Sequence, residues 1–466
     1  MNSHHNRNKL RIFFPLVWVF TVLCFVSCGR RESQAVPKNV ILIIVDALRA
    51  DHLSCYGYPI NTTPVIDALA KKAAVCTRAY SQANYTPTSM ASILTGTYPF
   101  VHKVYRSIKH GKNRYTVVPD SLELVSEALL KKGYYTAAVS STGWVSPDSN
   151  FGQGFADFYF MKQDDDAILA KAAEVVRKKK ASNFFMYIHL LDLHNYFNIK
   201  KPYASITSRE FRLSEKMREM MKKDRAEIFD WLGTIQVLHE IGADDLAYLV
   251  DRYDSALRKT DAAIGKLVGT LGREGLLDET LLVVTGDHGE NFFEHQRLVH
   301  GGDLIYNEVL NVPLIMSNRK MFPKRKSIDD FVETIDIFPT ILEILQIKDV
   351  SDRTLQQLQG ESVLIKRPNN SILSESQNHT KVKIMFQGWS YIYDWGSGGR
   401  ELYDLRNDPG EKKNIVEDHI FVARKLHRVL EDKINRSRSL SEKIIPQDVE
   451  MNEKVKEGLK SLGYIK

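Results

Sequence analysis

The chain has 466 residues, 64 Lys and Arg against 57 Asp and Glu, a net charge of +7 and a hydrophobic fraction of 43%. It is long enough and apolar enough for one large buried core with a smaller unit beside it. Its slight positive surplus is spread along the chain and makes no footprint for a polyanion, so nucleic acid is excluded as a partner.

Arg7, Lys9 and Arg11 precede an apolar run from Ile12 to Val26, and Ser27-Cys28-Gly29 follows. This is the layout of a secretory signal. The run is short against the roughly 20 residues of a membrane span. A cysteine directly after a small residue resembles a bacterial lipoprotein site, so the expectation is a signal peptide over 1–28 with lipid on Cys28. The mature chain would be exported and held in the cell envelope by that anchor, facing the periplasm or the outside. Losing the three basic residues lowers the net charge by three, to +4. Cys24 leaves with the signal, and Cys55 and Cys76 can either pair in an oxidising compartment or remain free thiols.

After a linker over 29–38, apolar β-branched runs recur at 40–45, 135–139, 184–190, 281–285 and 312–316, with helical patterns at 121–132 and 244–271 between them. Buried strands alternating with helices predict a doubly wound, mostly parallel α/β domain over 39–345. Within it, 205–242 is charged, Met-rich and helical in spacing, and reads as a solvated helical excursion near a substrate entrance. The C-terminal subdomain, 346–466, has short strand patterns at 381–386 and 390–394 and an amphipathic helix from about 416 to 434. This predicts a small antiparallel sheet with a helix on it. Nothing in the pattern sets an oligomeric state.

Open α/β sheets bind ligands beyond the carboxyl ends of their strands. Asp46 follows the run 39–45, Asp287 and His288 follow 281–286, and His194 lies shortly after 184–190. Residues 84–96, Asn-Tyr-Thr-Pro-Thr-Ser-Met-Ala-Ser-Ile-Leu-Thr-Gly, read as a turn entering a short helix. Thr86 is predicted as its cap, Pro87 as its first residue and Gly96 as its end. A hydroxyl at the positive end of a helix faces free N–H groups, which favour both an alkoxide and an anionic ester, so Thr86 is the candidate nucleophile. Carboxylates with an imidazole and the Thr86 oxygen suit a divalent ion: Ca²⁺, Mg²⁺, Mn²⁺ or Zn²⁺. Taken singly, an Asp at a strand end is commonly a turn cap and a lone His a satisfied core residue. It is their conjunction that points to a site.

These stretches resemble the sulfatase family of the alkaline phosphatase superfamily, in the family's order. Asn39 to Asp51 is similar to the first metal-ligand strand, Thr86 to Gly96 to the nucleophile signature, and Phe185 to His194 to the segment supplying a substrate-binding histidine. Tyr253-Asp254, Asp287-His288-Gly289-Glu290, His295, Glu308, Asp336, Glu401 to Leu405 and Leu462-Gly463-Tyr464 continue the likeness. The resemblance implies that Asp46, Asp287, His288 and Thr86 hold the metal. It also implies that His194, His295 and His300 bind an anionic ester substrate, with His194 or His300 protonating the leaving oxygen.

Several positions depart from the pattern. The family's nucleophile position holds Cys or Ser, which is oxidised to formylglycine. Thr86 would give a ketone instead, so no formylglycine is expected. The signature's arginine is Met90, its proline falls one place early at Pro87, Ala47 replaces a second Asp, and Ser141-Thr142-Gly143-Trp144 stands where a lysine-bearing stretch is usual. An ester on Thr must be broken by a second in-line attack, which favours phosphoryl chemistry over sulfuryl. Three readings follow: a hydrolase of sulfate or phosphate esters, a transferase of a phosphoethanolamine- or phosphoglycerol-type head group, and a sulfatase-like envelope protein without turnover.

Overall fold

The computed structural model describes Met1 and residues 35–105, 114–161, 164–203, 205–207, 209–223, 225–234 and 241–450. The chain divides into a unit of residues 1–34 and one from Ala35 onward. The signal segment, the lipidation site Cys28 and the terminal Leu462-Gly463-Tyr464 therefore lie outside the described residues. Among the described residues, no helix is long and apolar enough to cross a membrane. Cys55 and Cys76 are free thiols.

Among those residues the strands are β1 (Asn39–Val45), β2 (Ala73–Tyr80), β3 (Arg114–Val117), β4 (Tyr135–Ser140), β5 (Asp157–Phe160), β6 (Phe184–Leu190), β7 (Thr280–Gly286) and β8 (Asn311–Ser317). They continue with β9 (Lys326–Ile328), β10 (Val332–Glu333), β11 (Ile372–Glu375), β12 (Lys381–Phe386), β13 (Trp389–Asp394), β14 (Arg400–Asp404) and β15 (Gln447–Glu450). The main sheet runs β10-β2-β8-β7-β1-β6-β4-β5, with β9 also on β2. Every residue of β1, β6 and β7 is buried, as expected of strands covered on both faces.

One face packs Leu42, Tyr187 and Val283 with the Thr86–Thr95 helix, and the other packs Ile43, Ile188 and Val284 with the Asp165–Lys179 and Ala243–Arg273 helices. The doubly wound, mostly parallel architecture holds, with one reversal: β8 is antiparallel to both β7 and β2. A parallel return needs a crossover that carries the chain back to the starting edge. After β7 the chain instead stays at the carboxyl end through residue 310, and the short Asn307–Leu310 helix feeds β8 from there.

The small C-terminal sheet is antiparallel, in the order β11-β12-β13-β14, and its core joins that of the Ile420–Lys443 helix through Ile384, Leu402, Leu426 and Leu430. The 205–242 insertion differs from a solvated excursion. It contains Glu215–Met220 and Arg225–Thr234 helices whose Met217, Ile228 and Leu232 are fully buried.

Candidate active site

Register builds the site. β1 is central and parallel to both neighbours, with Val45 opposite Leu190 of β6 and Gly286 of β7. The next residues, Asp46 and Asp287, therefore emerge side by side at the carboxyl end. Both are buried. Asp287 Oδ1 accepts from the backbone N–H of His288 (2.9 Å) and Ala47 (3.2 Å). The second contact needs Ala47 in the left-handed region, φ +59°, which a non-glycine residue rarely occupies. Asp287 Oδ2 and Asp46 Oδ1 have no hydrogen-bond partner among the described residues.

The nucleophile helix differs from expectation by one place. Tyr85 occupies the cap position, Thr86 is the first helical residue and Pro87 the second, while Gly96 ends the helix at φ +69°. The left-handed conformation favours glycine there, while a Cβ would meet only the movable tip of Leu358, Cδ2, at 2.5 Å. Freed from capping, the Thr86 hydroxyl turns to the acids. Its Oγ1 lies 3.2 Å from His288 Nε2 and 3.4 Å from Asp46 Oδ2. His288 Nδ1 is 2.9 Å from the Gly289 carbonyl and so carries the proton, leaving Nε2 as a lone pair. Gly289 is fixed by packing, because a Cβ there would stand 2.1 Å from the Glu308 carbonyl oxygen.

Arg49 clamps the two loops from below. Its guanidinium bonds Asp51, the Glu290 carbonyl (3.0 Å) and Glu294 (2.6 Å), and Tyr253 Oη donates to the Ala47 carbonyl at 2.7 Å. Asp165 does the same for the loop that leads to His194, accepting from Leu191 N (2.9 Å), Asp192 N (3.2 Å) and the Thr260 hydroxyl (2.7 Å). Burial, aided by the charge of Asp192, pushes the Asp165 carboxyl up to about 7.

His194 and His300 meet edge to face, ring centroids 4.9 Å apart, and His300 stands 4.3 Å from the His288 ring. His300 Nδ1 lies 3.3 Å from the Glu290 carboxylate, while its Nε2 has no hydrogen-bond partner among the described residues. Burial opposes protonation of His300, but the Glu290 charge and hydrogen bond outweigh it and raise the imidazole above its ordinary value. The two acids diverge. Burial alone would raise Asp46, yet the imidazoles of His194, His189 and His288 hold it well below the carboxylate range; burial and the Asp46 charge push Asp287 up.

The structure thus brings together Asp46, Thr86, Asp287, His288, His194 and His300. His295, grouped with the substrate-binding histidines on sequence, is placed elsewhere. Its Nδ1 faces Glu308, its Nε2 faces the Glu411 carbonyl at 3.0 Å, and its ring stacks on Tyr306. With both nitrogens occupied it braces the loop.

One member was missed. His189, inside β6, lies with Nε2 3.4 Å from Asp46 Oδ2 and Nδ1 2.5 Å from Tyr187 Oη. A histidine inside an otherwise apolar buried strand was the available signal. One ligand atom from each of Asp46, His189 and Asp287 lies within 4.8 Å of the others. Two buried carboxylates with unpaired oxygens aimed at shared imidazoles fit a divalent cation, whose charge would offset an otherwise costly burial.

An acid pair and imidazoles beyond the carboxyl ends of parallel strands, facing a hydroxyl at a helix N-terminus, define an ester hydrolase of the α/β class. The chain belongs to the sulfatase family: the family model "Sulfatase" matches residues 38–347, and that of "N-sulphoglucosamine sulphohydrolase, C-terminal" matches 299–439. It is 22% identical to an uncharacterized sulfatase of Escherichia coli (strain K12), over 86% of this chain and 88% of that one. It is 20% identical to a Δ4,5-hexuronate-2-O-sulfatase of Bacteroides thetaiotaomicron, over 88% and 92%. Its fold is similar to the phosphonate monoester hydrolase of Agrobacterium radiobacter, with a TM-score of 0.64, 18% identity and coverage of 89% and 100%.

Proposed function

We propose that this protein is a metal-dependent hydrolase of anionic esters with Thr86 as nucleophile, and that phosphate or phosphonate esters are its better substrates. The observation that carries this is the Thr86 hydroxyl, held between His288 Nε2 and Asp46 Oδ2 at the start of its helix. Thr86 Oγ1 attacks the central atom of the ester and gives up its proton to His288 Nε2. The bond from that atom to the leaving oxygen breaks on the opposite side, where protonated His300 donates from Nε2. Water then attacks the Thr86 ester in line and gives a proton to the now neutral His300 Nε2; the bond to Oγ1 breaks, Oγ1 recovers the proton held by His288, and the acid is released.

A divalent ion held by Asp46, Asp287 and His189 would polarise the ester and lower the cost of the Thr86 alkoxide. The nitrogen donor favours Mn²⁺ or Zn²⁺ over Ca²⁺, which prefers all-oxygen sites. The relatives support the substrate class, one being named for a sulfate ester and the structural neighbour for phosphonate monoesters. Choosing phosphorus over sulfur rests on Thr86, which cannot expel sulfate by collapse to an aldehyde. We further propose the Cys28 lipid anchor, which intact mass of the mature N-terminus and its loss in Cys28→Ser would test.

The deciding assay compares p-nitrophenyl phosphate, phosphonate and sulfate esters across a divalent metal series, for the full protein and Thr86→Ala. Turnover that requires metal and drops roughly a thousandfold or more in the variant supports the reading. Metal binding without turnover of any ester favours the non-catalytic alternative, for which one observation speaks: Met90, where the resemblance implies an arginine, is completely buried in the core.

A further inference from the structure

The catalytic groups are closed off. None of Asp46, Thr86, His189, His194, Asp287, His288 and His300 exposes more than 8% of its surface. The Arg225–Thr234 helix of the insertion lies over their histidine side. Phe229 stacks on His194 with centroids 5.7 Å apart and planes 12° apart, and meets His300 at 5.5 Å and 64°. Ile228 and Leu232 are buried while Glu227 and Asp230 are exposed, so the helix presents one apolar face inward. A Cβ on Gly233 would touch Val299 Cγ2 at 3.7 Å, which seats the helix on the residue before His300. Ten residues are too few for a stable isolated helix, so tertiary packing holds it in place.

In-line displacement puts the leaving alcohol opposite Thr86, beside the proton donor. Phe229 lies beside that donor, its ring 5.5 Å from that of His300. We propose that the Arg225–Thr234 helix is the cover of the leaving-group side of the site, and that Phe229 selects esters whose alcohol carries a ring. The helix lifts to admit the ester, and the Phe229 face exchanges its stack on His194 for the ring of an aryl or sugar alcohol. This rests on the hydrolase reading above.

Two measurements on the full protein test it. Carbethoxylation of His194 and His300 by diethyl pyrocarbonate, followed by peptide mass and normalised to the remote His427, reads access without turnover. Phe229→Ala is expected to speed both about tenfold. The second is the ratio of kcat/KM for a phenyl ester to that for the methyl ester, expected to fall at least about fivefold, mostly through KM of the phenyl ester. Phe229→Leu keeps the apolar packing and stands in if the Ala variant fails to fold; it should lower the ratio too. Unchanged labelling and an unchanged ratio overturn the proposal and leave the hydrolase reading intact. Faster labelling in a protein that turns over no ester keeps the cover and removes the chemistry.

Discussion

The identity of single atoms decides most of the chemistry proposed for this site. In the proposed reaction His300 would donate its proton from a ring whose Nδ1 is tied to Glu290, and its raised pKa would set the alkaline side of the activity. The group must be protonated to act, so kcat/KM for alkyl esters should fall as pH rises through a value above that of an ordinary imidazole. For p-nitrophenyl esters, whose leaving group needs no proton, the same profile should stay flat there, and an equal fall in both would count against His300 as the acid. Asp165 gives a stability test with the opposite purpose. Its carboxyl moves from 3.8 to about 7 on folding, so the folded chain keeps a proton that the unfolded chain has lost. Stability therefore declines as pH climbs through that window, and Asp165→Asn should remove the decline. The Tm advantage of the variant should grow from about pH 4 to about pH 7 and level off above it. A constant difference across that range would place the strain elsewhere.

At the scale of strands and helices, much was legible in the sequence because burial on both faces writes itself as continuous apolar runs. The run at 184–190 coincides with β6, and that at 381–386 with β12. β2 was not legible: Ala73 to Tyr80 is mostly small or polar residues with Val75 as its one apolar β-branched residue, and its partners β8, β9 and β10 make it a strand. The direction of β8 was hidden too, since an apolar run looks the same read from either end of the sheet. Asp46, Asp287 and His288 could be found because they stop a strand. His189 was marked only by being a histidine in a buried apolar strand, and its meaning comes from lying opposite Ile44, two positions before Asp46 and so on the same strand face. Its contribution is measurable. His189→Ala should weaken Zn²⁺ or Mn²⁺ binding by at least about tenfold in calorimetry, with the fold retained by circular dichroism. Metal at a hundred times its Kd should stabilise the wild-type protein by about 2.7 kcal/mol, an increment that chelation removes.

Across the whole molecule, the C-terminal sheet is bound to the acid-bearing loop through buried charge. Lys383 of β12 and Glu411 are fully buried, with Nζ 2.8 Å from Glu411 Oε2 and 3.0 Å from Asn307 Oδ1. Glu411 also receives the Asn307 N–H at 2.8 Å, and its carbonyl faces His295. Lys383→Met would leave a carboxylate buried without its counter-ion and should cost about 3–5 kcal/mol in denaturant unfolding. The paired change Lys383→Met with Glu411→Leu should recover much of that loss. If the single and double variants are equally unstable, side-chain volume rather than charge sets the cost. Gly289 lies at the centre of the same arrangement, pressed against the Glu308 carbonyl. The third letter of the Asp287-His288-Gly289 triplet is thus a spatial requirement of the scaffold, whereas the first two are reagents in the reaction proposed above. A homologous chain that kept the glycine and lost the acid or the imidazole would still fold in this way, and its short motif would advertise an architecture with no reaction attached.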